Sequence, residues 1–276
     1  MHIYRINFLF LMLFATSNAF AAYYPTSSWE ISSPVDQQVR TDNVDALVNL
    51  AFLDDSTQAV VVIKNGKIIS EKYAEGYDKN SHGTSWSMAK SYYAALIGIS
   101  IDRGEIGGLD DKVGEYLTYF NDERSEITIR DLLDMSSGLD FPKDEHETMF
   151  FQEDHLKYAM GVGVDKSAGL KFEYNNVNSM LLGDILIATT GKKADELLKE
   201  RILDPIGVTD YKLWKDENGN VLTYCCVDMS ARDYSKIGLL FSRNGNWDGK
   251  QLISKQYIDE TFQVVWDITP ERFTTL

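Results

Sequence analysis

The stretch Trp86-Ser87-Met88-Ala89-Lys90-Ser91 contains a Ser-x-x-Lys pair where a helix is predicted to begin. That helix runs from about Ser87 to Arg103, and Gly104 ends it. Side chains three residues apart lie on one helix face, with Cβ atoms about 5–6 Å apart. A serine needs a neighbouring base to become a nucleophile, and a desolvated lysine has a lowered pKa and can take its proton. The pattern therefore predicts Ser87 as a nucleophile and Lys90 as its base.

Ser-x-x-Lys alone is weakly specific, because residue frequencies give on the order of one chance match in a chain of this length. A serine that caps a helix, followed by a solvated lysine, would give the same Ser-x-x-Lys pattern. The start of a helix also supplies free backbone N–H groups and a partial positive charge, which could stabilise an oxyanion beside Ser87. A second motif is needed to choose between these interpretations.

That second motif is Phe172-Glu173-Tyr174-Asn175-Asn176, just before an apolar helix. A phenol next to a lysine ammonium has a depressed pKa, so Tyr174 could pass protons between the nucleophile and a leaving group. Asn176 could orient Lys90 and bind a substrate amide. The alternative is a tyrosine that covers the core, with the asparagines as turn and helix cap. Tyr119-Phe120-Asn121 has the same form, but it ends an amphipathic segment.

Together, these motifs resemble the serine β-lactamase and penicillin-binding-protein superfamily, in its class C-like branch. Within that branch the sequence is most similar to 6-aminohexanoate-dimer hydrolases and esterases. Further segments agree in order along the chain: Asn65-Gly66-Lys67, Leu132-Leu133-Asp134-Met135-Ser136-Ser137-Gly138-Leu139, Asn176 to Gly183, Cys225-Cys226 and Ser230-Ala231-Arg232-Asp233.

The resemblance implies an α/β (α+β) fold, with a β-lactamase-like antiparallel sheet flanked by helices and an all-helical subdomain. The sheet part would cover 22–104 and 201–276, and the helical subdomain about 105–200. The resemblance also implies a covalent acyl-enzyme, with Ser87 as nucleophile, Lys90 as base, Tyr174 as proton relay and Asn176 as substrate ligand. The substrate would be a small ester, amide or β-lactam, with an ester or small amide favoured over penicillin. No metal and no organic cofactor is implied.

The sequence departs from the superfamily at its third element, a Lys-Thr-Gly-like strand. No such tripeptide follows Tyr174, and Thr190-Gly191-Lys192 has the wrong order. The resemblance therefore implies a C-terminally truncated member that lacks its last strands. Loss of one oxyanion donor costs about 10²–10³ in rate, so we expect impaired activity. The alternative is a non-catalytic penicillin-binding or sensor protein, or an inert remnant.

Local patterns predict the remaining elements. The runs Ala59–Lys64 and Lys67–Tyr73 flank Asn65-Gly66, which predicts a β-hairpin with a type I′ turn. A loop is expected over Tyr77–Thr84, and few strands are expected after residue 220. Other helices are predicted from hydrophobic spacing and caps over 44–51, 128–135, 177–189, 194–203 and 230–242.

Composition limits the class of protein. The 276 residues are 44% hydrophobic and 12% aromatic, enough for a full core, and the net charge of -15 argues against nucleic acid as a partner. Residues 1–21 have the pattern of a signal peptide, with Arg5, an apolar run and Ala19-Phe20-Ala21. We therefore expect export to the periplasm or medium, with no membrane span after cleavage. The oligomeric state is left open.

Other sites are weakly indicated. Gly83-Thr84-Ser85-Trp86-Ser87 lacks the second glycine of a Ser-His-Asp hydrolase elbow. Glu145-His146-Glu147 and Asp154-His155 lack metal-ligand spacing and are expected in an acidic, solvated loop. Cys225 and Cys226 could form a disulfide or stay as two packed thiols.

Overall fold

A computed structural model describes residues 23–141 and 146–266. The predicted signal segment, residues 1–21, lies outside the described residues. The described chain is a mixed α/β protein with antiparallel sheets, as predicted. Within these ranges no helix combines the length and the apolar character needed to cross a membrane. The division into a sheet part and a helical subdomain stays a prediction.

The predicted hairpin is confirmed. Strands β1 (Ala59–Lys64) and β2 (Lys67–Tyr73) pair in antiparallel register. Asn65 and Gly66 both have positive φ, 53° and 82°, as a type I′ turn requires. Helix α1 (Thr41–Ala51) covers one face of this sheet, where its valines join a small apolar cluster with β2.

A three-stranded sheet lies next to the Ser-x-x-Lys segment, with β5 (Val227–Ser230) between β3 (His82–Thr84) and β4 (Tyr211–Leu213). The prediction of a loop through residue 84 was wrong at its end, where β3 lies. The expectation of few strands after residue 220 agrees with the described residues, where β5 is the one strand there longer than two residues. These strands have three or four residues, too few to show a period of two. Their pairing depends on tertiary contacts more than on propensity. A two-residue hairpin follows, β6 (Asn246–Trp247) with β7 (Lys250–Gln251).

The predicted helices are confirmed with small shifts at their ends. Helix α2 (Ala89–Asp102) packs against α6 (Asn176–Thr190), and both are buried along most of their length. The other helices of the described residues are α3 (Ile129–Leu133), α4 (His146–Phe150), α5 (His155–Gly161), α7 (Ala194–Leu198), α8 (Ala231–Ser242) and α9 (Lys255–Thr261). A π-helical turn, Lys199–Leu203, continues α7, and short 3₁₀ turns lie at Val35–Gln37, Trp86–Met88, Val113–Glu115 and Glu123–Glu126.

A buried ion pair joins the end of α2 to the π-helical turn. The guanidinium of Arg201, with 4% of its side chain exposed, donates to both oxygens of Glu105 at 2.7 and 2.8 Å. It also donates to the Ser100 hydroxyl at 3.0 Å. Two-point binding of this kind fixes geometry as well as charge, so it ties these two elements together.

Candidate active site

Ser87 lies in the 3₁₀ turn Trp86–Met88, which leads directly into α2. Its side chain is exposed, whereas Lys90, one turn later, is half-buried. The Lys90 Nζ lies 3.2 Å from the Ser87 Oγ. The structure thus brings the predicted nucleophile and base within hydrogen-bond distance of each other, at the start of a long buried helix.

The Lys90 amine is enclosed by groups that carry no charge to balance it. Its Nζ donates to the main-chain carbonyl of Tyr224 at 2.6 Å and lies 4.8 Å from the centre of the Tyr174 ring. Burial lowers the pKa of Lys90 from 10.5 to about 7, because desolvation penalises the charged form. A large fraction of the amine is therefore neutral near pH 7, with a lone pair that can accept a proton. The predicted lowering of this pKa is confirmed.

Tyr174 completes the cluster from the other side. Its phenol Oη donates to the Ser87 Oγ at 2.6 Å. Burial raises the pKa of Tyr174, and the hydrogen bond with Ser87 opposes that rise. The predicted depression of this pKa was wrong, because a largely neutral Lys90 gives little charge to stabilise a phenolate and burial penalises it. Tyr174 is therefore a protonated donor at neutral pH.

The segment around Ser137 holds the Tyr174 segment in place. The backbone N–H of Glu173 donates to the carbonyl of Met135 at 2.7 Å, and the Ser137 hydroxyl donates to Asn178 Oδ1 at 2.7 Å. Gly138 has φ 71°, and a Cβ there would lie 2.0 Å from the Lys166 carbonyl oxygen. Only glycine fits that position, so this segment can approach the backbone of Lys166 closely.

Asn176 is the first residue of α6, two residues beyond Tyr174, and is half-buried. Its predicted contacts with Lys90 and with substrate stay predictions. Tyr119, the tyrosine of the other Tyr-x-Asn sequence, has a different partner. Its hydroxyl donates to Asp184 at 2.8 Å. Asn175 caps α6 by accepting the N–H of Val177 at 2.9 Å, as the alternative interpretation of that residue proposed.

No motif pointed to Tyr224, whose backbone carbonyl accepts a hydrogen bond from the Lys90 amine. Its phenol shares a hydrogen bond of 2.9 Å with Nδ1 of His155, which is buried. The expected solvated loop at Asp154-His155 was therefore wrong for His155, and burial lowers its pKa. A backbone acceptor leaves no mark on its side chain, so no motif could have identified Tyr224.

The two cysteines directly follow Tyr224, and the structure joins Cys225 to Cys226 by a disulfide. Cys226 has φ 79° and its carbonyl accepts from the N–H of Trp214 at 3.1 Å. Among the residues that the structure describes, no three His, Cys, Asp or Glu side chains come together to hold a metal ion.

A family model described as Beta-lactamase matches residues 53–238, which include Ser87, Lys90 and Tyr174. The chain belongs to the beta-lactamase family. A D-aminopeptidase from Brucella anthropi is 28% identical over 178 residues, covering 57% of this chain and 33% of that protein. An N-acetylmuramyl-L-alanine amidase from Bacillus subtilis is 27% identical over 177 residues, covering 53% and 40%.

Among solved structures, this beta-lactamase-family chain is similar to a Bacillus anthracis protein provisionally assigned as a 6-aminohexanoate-dimer hydrolase. The TM-score is 0.72 at 22% identity, covering 88% of this chain and 68% of the other. This similarity supports the fold of the serine β-lactamase and penicillin-binding-protein superfamily. The chain spans about one third to two fifths of the curated relatives it matches.

Proposed function

We propose that the protein is a serine hydrolase that forms an acyl-enzyme at Ser87 and hydrolyses small esters or amides. One observation supports this proposal above the others: the Ser87 Oγ lies 3.2 Å from the Lys90 Nζ and 2.6 Å from the Tyr174 Oη. Ordinary helix caps and solvated lysines do not form such a three-membered cluster around an exposed hydroxyl. Membership of the beta-lactamase family is consistent with hydrolase activity.

In the proposed reaction, Ser87 Oγ bonds to the substrate carbonyl carbon while its proton moves to the neutral Lys90 amine. The resulting oxyanion is proposed to be stabilised by backbone N–H groups at the start of the 3₁₀ turn. The oxyanion then collapses and breaks the bond to the leaving oxygen or nitrogen. That atom takes the proton from Lys90 through the Tyr174 hydroxyl. Water repeats the sequence on the acyl-enzyme and returns a proton to Ser87.

The substrate class is proposed from the relatives as well as from the site. Two curated relatives carry names of amide-cleaving enzymes, a D-aminopeptidase and an amidase. The fold is shared with a protein provisionally assigned as a 6-aminohexanoate-dimer hydrolase. An ester or small amide is therefore preferred to penicillin as the substrate, with Asn176 proposed to hold its carbonyl or amide group.

The test uses a fluorophosphonate and a labelled penicillin on the purified protein, followed by peptide mass spectrometry. We expect an adduct on Ser87 that is absent from Ser87→Ala and strongly reduced in Lys90→Ala. Ser91→Ala is the matched control, since Ser91 is also exposed and lies one turn further along the chain. Release of product from p-nitrophenyl acetate supports a hydrolase. A stable penicillin adduct without product release from the ester supports the sensor alternative, and no adduct from either probe rejects Ser87 as a nucleophile.

Export is proposed separately. The pattern over residues 1–21 predicts cleavage after Ala21. Expression of the full gene in a bacterial host, followed by N-terminal mass analysis of the periplasmic protein, should show a chain that begins at Ala22. A cytoplasmic protein that keeps Met1 would contradict the prediction.

A further inference from the structure

A row of aromatic side chains begins at the residue before the proposed nucleophile. The ring centres of Trp86 and Trp214 are 6.4 Å apart, and those of Trp214 and Phe150 are also 6.4 Å apart. Phe151 extends the row, with its ring centre 6.0 Å from that of Phe150. We refer to these four residues as the aromatic wall. Its two ends, Trp86 and Phe151, are exposed at 61% and 79%.

The backbone of Trp86 is in an unfavourable conformation. Its φ is 46°, in the left-handed region that glycine and asparagine adopt readily and that a bulky side chain adopts at a cost of about 1 kcal/mol or more. Most of the indole lies in solvent, so burial of the ring itself offsets little of this cost. This combination makes the ring a candidate for contact with a ligand.

Trp214 is held rigidly behind Trp86. Its indole N–H donates to Asp228 at 2.8 Å, and its backbone N–H and carbonyl bond to Cys226 and Leu222 at 3.1 and 3.0 Å. The exposed Trp86 ring, tilted by 52° to the fixed ring behind it, gives an apolar surface with little conformational freedom to lose. Such surfaces bind apolar groups well, because aromatic rings combine a large contact area with few rotatable bonds.

We infer that the aromatic wall determines substrate specificity by binding an apolar group, aromatic or long-chain aliphatic, next to the bond that Ser87 attacks. This inference rests on the proposed function. Sequence contiguity with Ser87 favours a substrate group as the occupant, since Trp86 and the nucleophile share one 3₁₀ turn. The apolar group can belong to the acyl part of the substrate or to its leaving group. Two pairs of probes distinguish these alternatives.

The experiment measures rates of Ser87 modification by two phosphonofluoridates that differ in the group on phosphorus, methyl or phenyl. Covalent modification needs only the nucleophile, so slow turnover does not obscure it. A second pair of probes, with a constant methyl group and either a fluoride or a naphthol leaving group, tests the other side of the bond. We expect the phenyl or the naphthol probe to gain at least about tenfold in wild type relative to its small counterpart, after correction for intrinsic reactivity.

The variant is Trp86→Asn, because asparagine accepts the left-handed backbone and removes only the ring. We expect the ratio of apolar to small probe rates to fall close to one. Leu53→Ala, which removes an exposed apolar side chain beyond α1, should leave the ratio unchanged. Equal rates for small and apolar probes in wild type, or the same ratio in Trp86→Asn, would overturn the inference. If no probe modifies Ser87 at all, the proposed function itself has failed.

Discussion

The Lys90 amine donates to the backbone carbonyl of Tyr224 at 2.6 Å, so an immobile acceptor holds the proposed base in place. A neutral amine has two N–H bonds and one lone pair. With one N–H directed at this carbonyl, rotation of the amine is restricted and the lone pair can face the Ser87 Oγ at 3.2 Å. The carbonyl carries no charge that would retain the proton on Lys90. Burial therefore determines the pKa of Lys90, and the hydrogen bond to the Tyr224 carbonyl orients its amine.

The first prediction concerns the pH dependence of the reaction. Burial lowers the pKa of Lys90 to about 7, and only the neutral amine can accept the Ser87 proton. The second-order rate of Ser87 modification should therefore rise about tenfold per unit below pH 7 and level off above it. Stopped assays between pH 5 and 9, corrected for probe hydrolysis, measure the profile. A flat profile, or one that falls through this range, would exclude Lys90 as the base.

The second prediction uses protein stability to examine the same lysine. Its pKa is about 7 when folded and near 10.5 when unfolded, so between these values the unfolded chain binds more protons. Stability of the wild type should rise with pH in this window relative to Lys90→Met, by about 2 kcal/mol between pH 7 and 9. Urea unfolding at both pH values measures this difference. Parallel behaviour of the two proteins would mean that Lys90 is solvated and ordinary.

The third prediction concerns Tyr174. Tyr174→Phe removes the hydroxyl that donates to Ser87 Oγ at 2.6 Å and keeps the ring beside Lys90. Loss of a proton relay should lower the rate of acylation by about 10²–10³. Thermal stability should change little, since Tyr174 is exposed. Tyr119→Phe, in the other Tyr-x-Asn sequence, is the control. Equal rates for Tyr174→Phe and wild type would leave Tyr174 as a structural residue.

The Ser87–Lys90 pair and the hairpin turn could be predicted because each is local, whereas the contact of Ser87 with Tyr174 joins residues 87 positions apart. Ser87 and Lys90 are one helical turn apart, and Asn65-Gly66 has the backbone preference of one turn type. The motif around Tyr174 could be predicted for another reason, since it precedes a strongly apolar helix. Such features depend on neighbours in sequence, where propensity and spacing carry the information.

What could not be predicted depends on distant contacts. Strands β3 and β5 are too short to show a period, and each forms because the other is present. Tyr224 lies 134 residues from Lys90 in sequence. Its contact uses a backbone carbonyl, which every residue type has, so the residue type does not indicate it. The shift in the pKa of Tyr174 was predicted in the wrong direction, because the direction depends on whether Lys90 keeps its charge. Burial of both groups decides that, and burial is a property of the fold.

The fourth prediction concerns the buried pair of Glu105 and Arg201. Arg201→Met removes the cation and leaves the Glu105 carboxylate partly buried, which should cost about 2–4 kcal/mol in the free energy of unfolding. Arg40→Met breaks an exposed pair with Asp42 and should have little effect. Urea denaturation at pH 7 compares the two variants. Similar small losses in both would show that the Glu105–Arg201 contact does not stabilise the fold.

The fifth prediction concerns the helix that carries Ser87 and Lys90. A Cβ on Gly98 would lie 2.3 Å from the Tyr257 ring, and that ring is fixed because its hydroxyl donates to the Ala94 carbonyl at 2.7 Å. Gly98→Ala should therefore destabilise the protein by about 1–3 kcal/mol. Gly238→Ala meets open space within α8 and should stabilise it by about 0.5–1 kcal/mol, since alanine is the better helix former. Opposite shifts of the urea midpoint are expected. Stabilisation by Gly98→Ala would mean that α2 and α9 pack less closely than described, so that α2 would be a less rigid support for the serine.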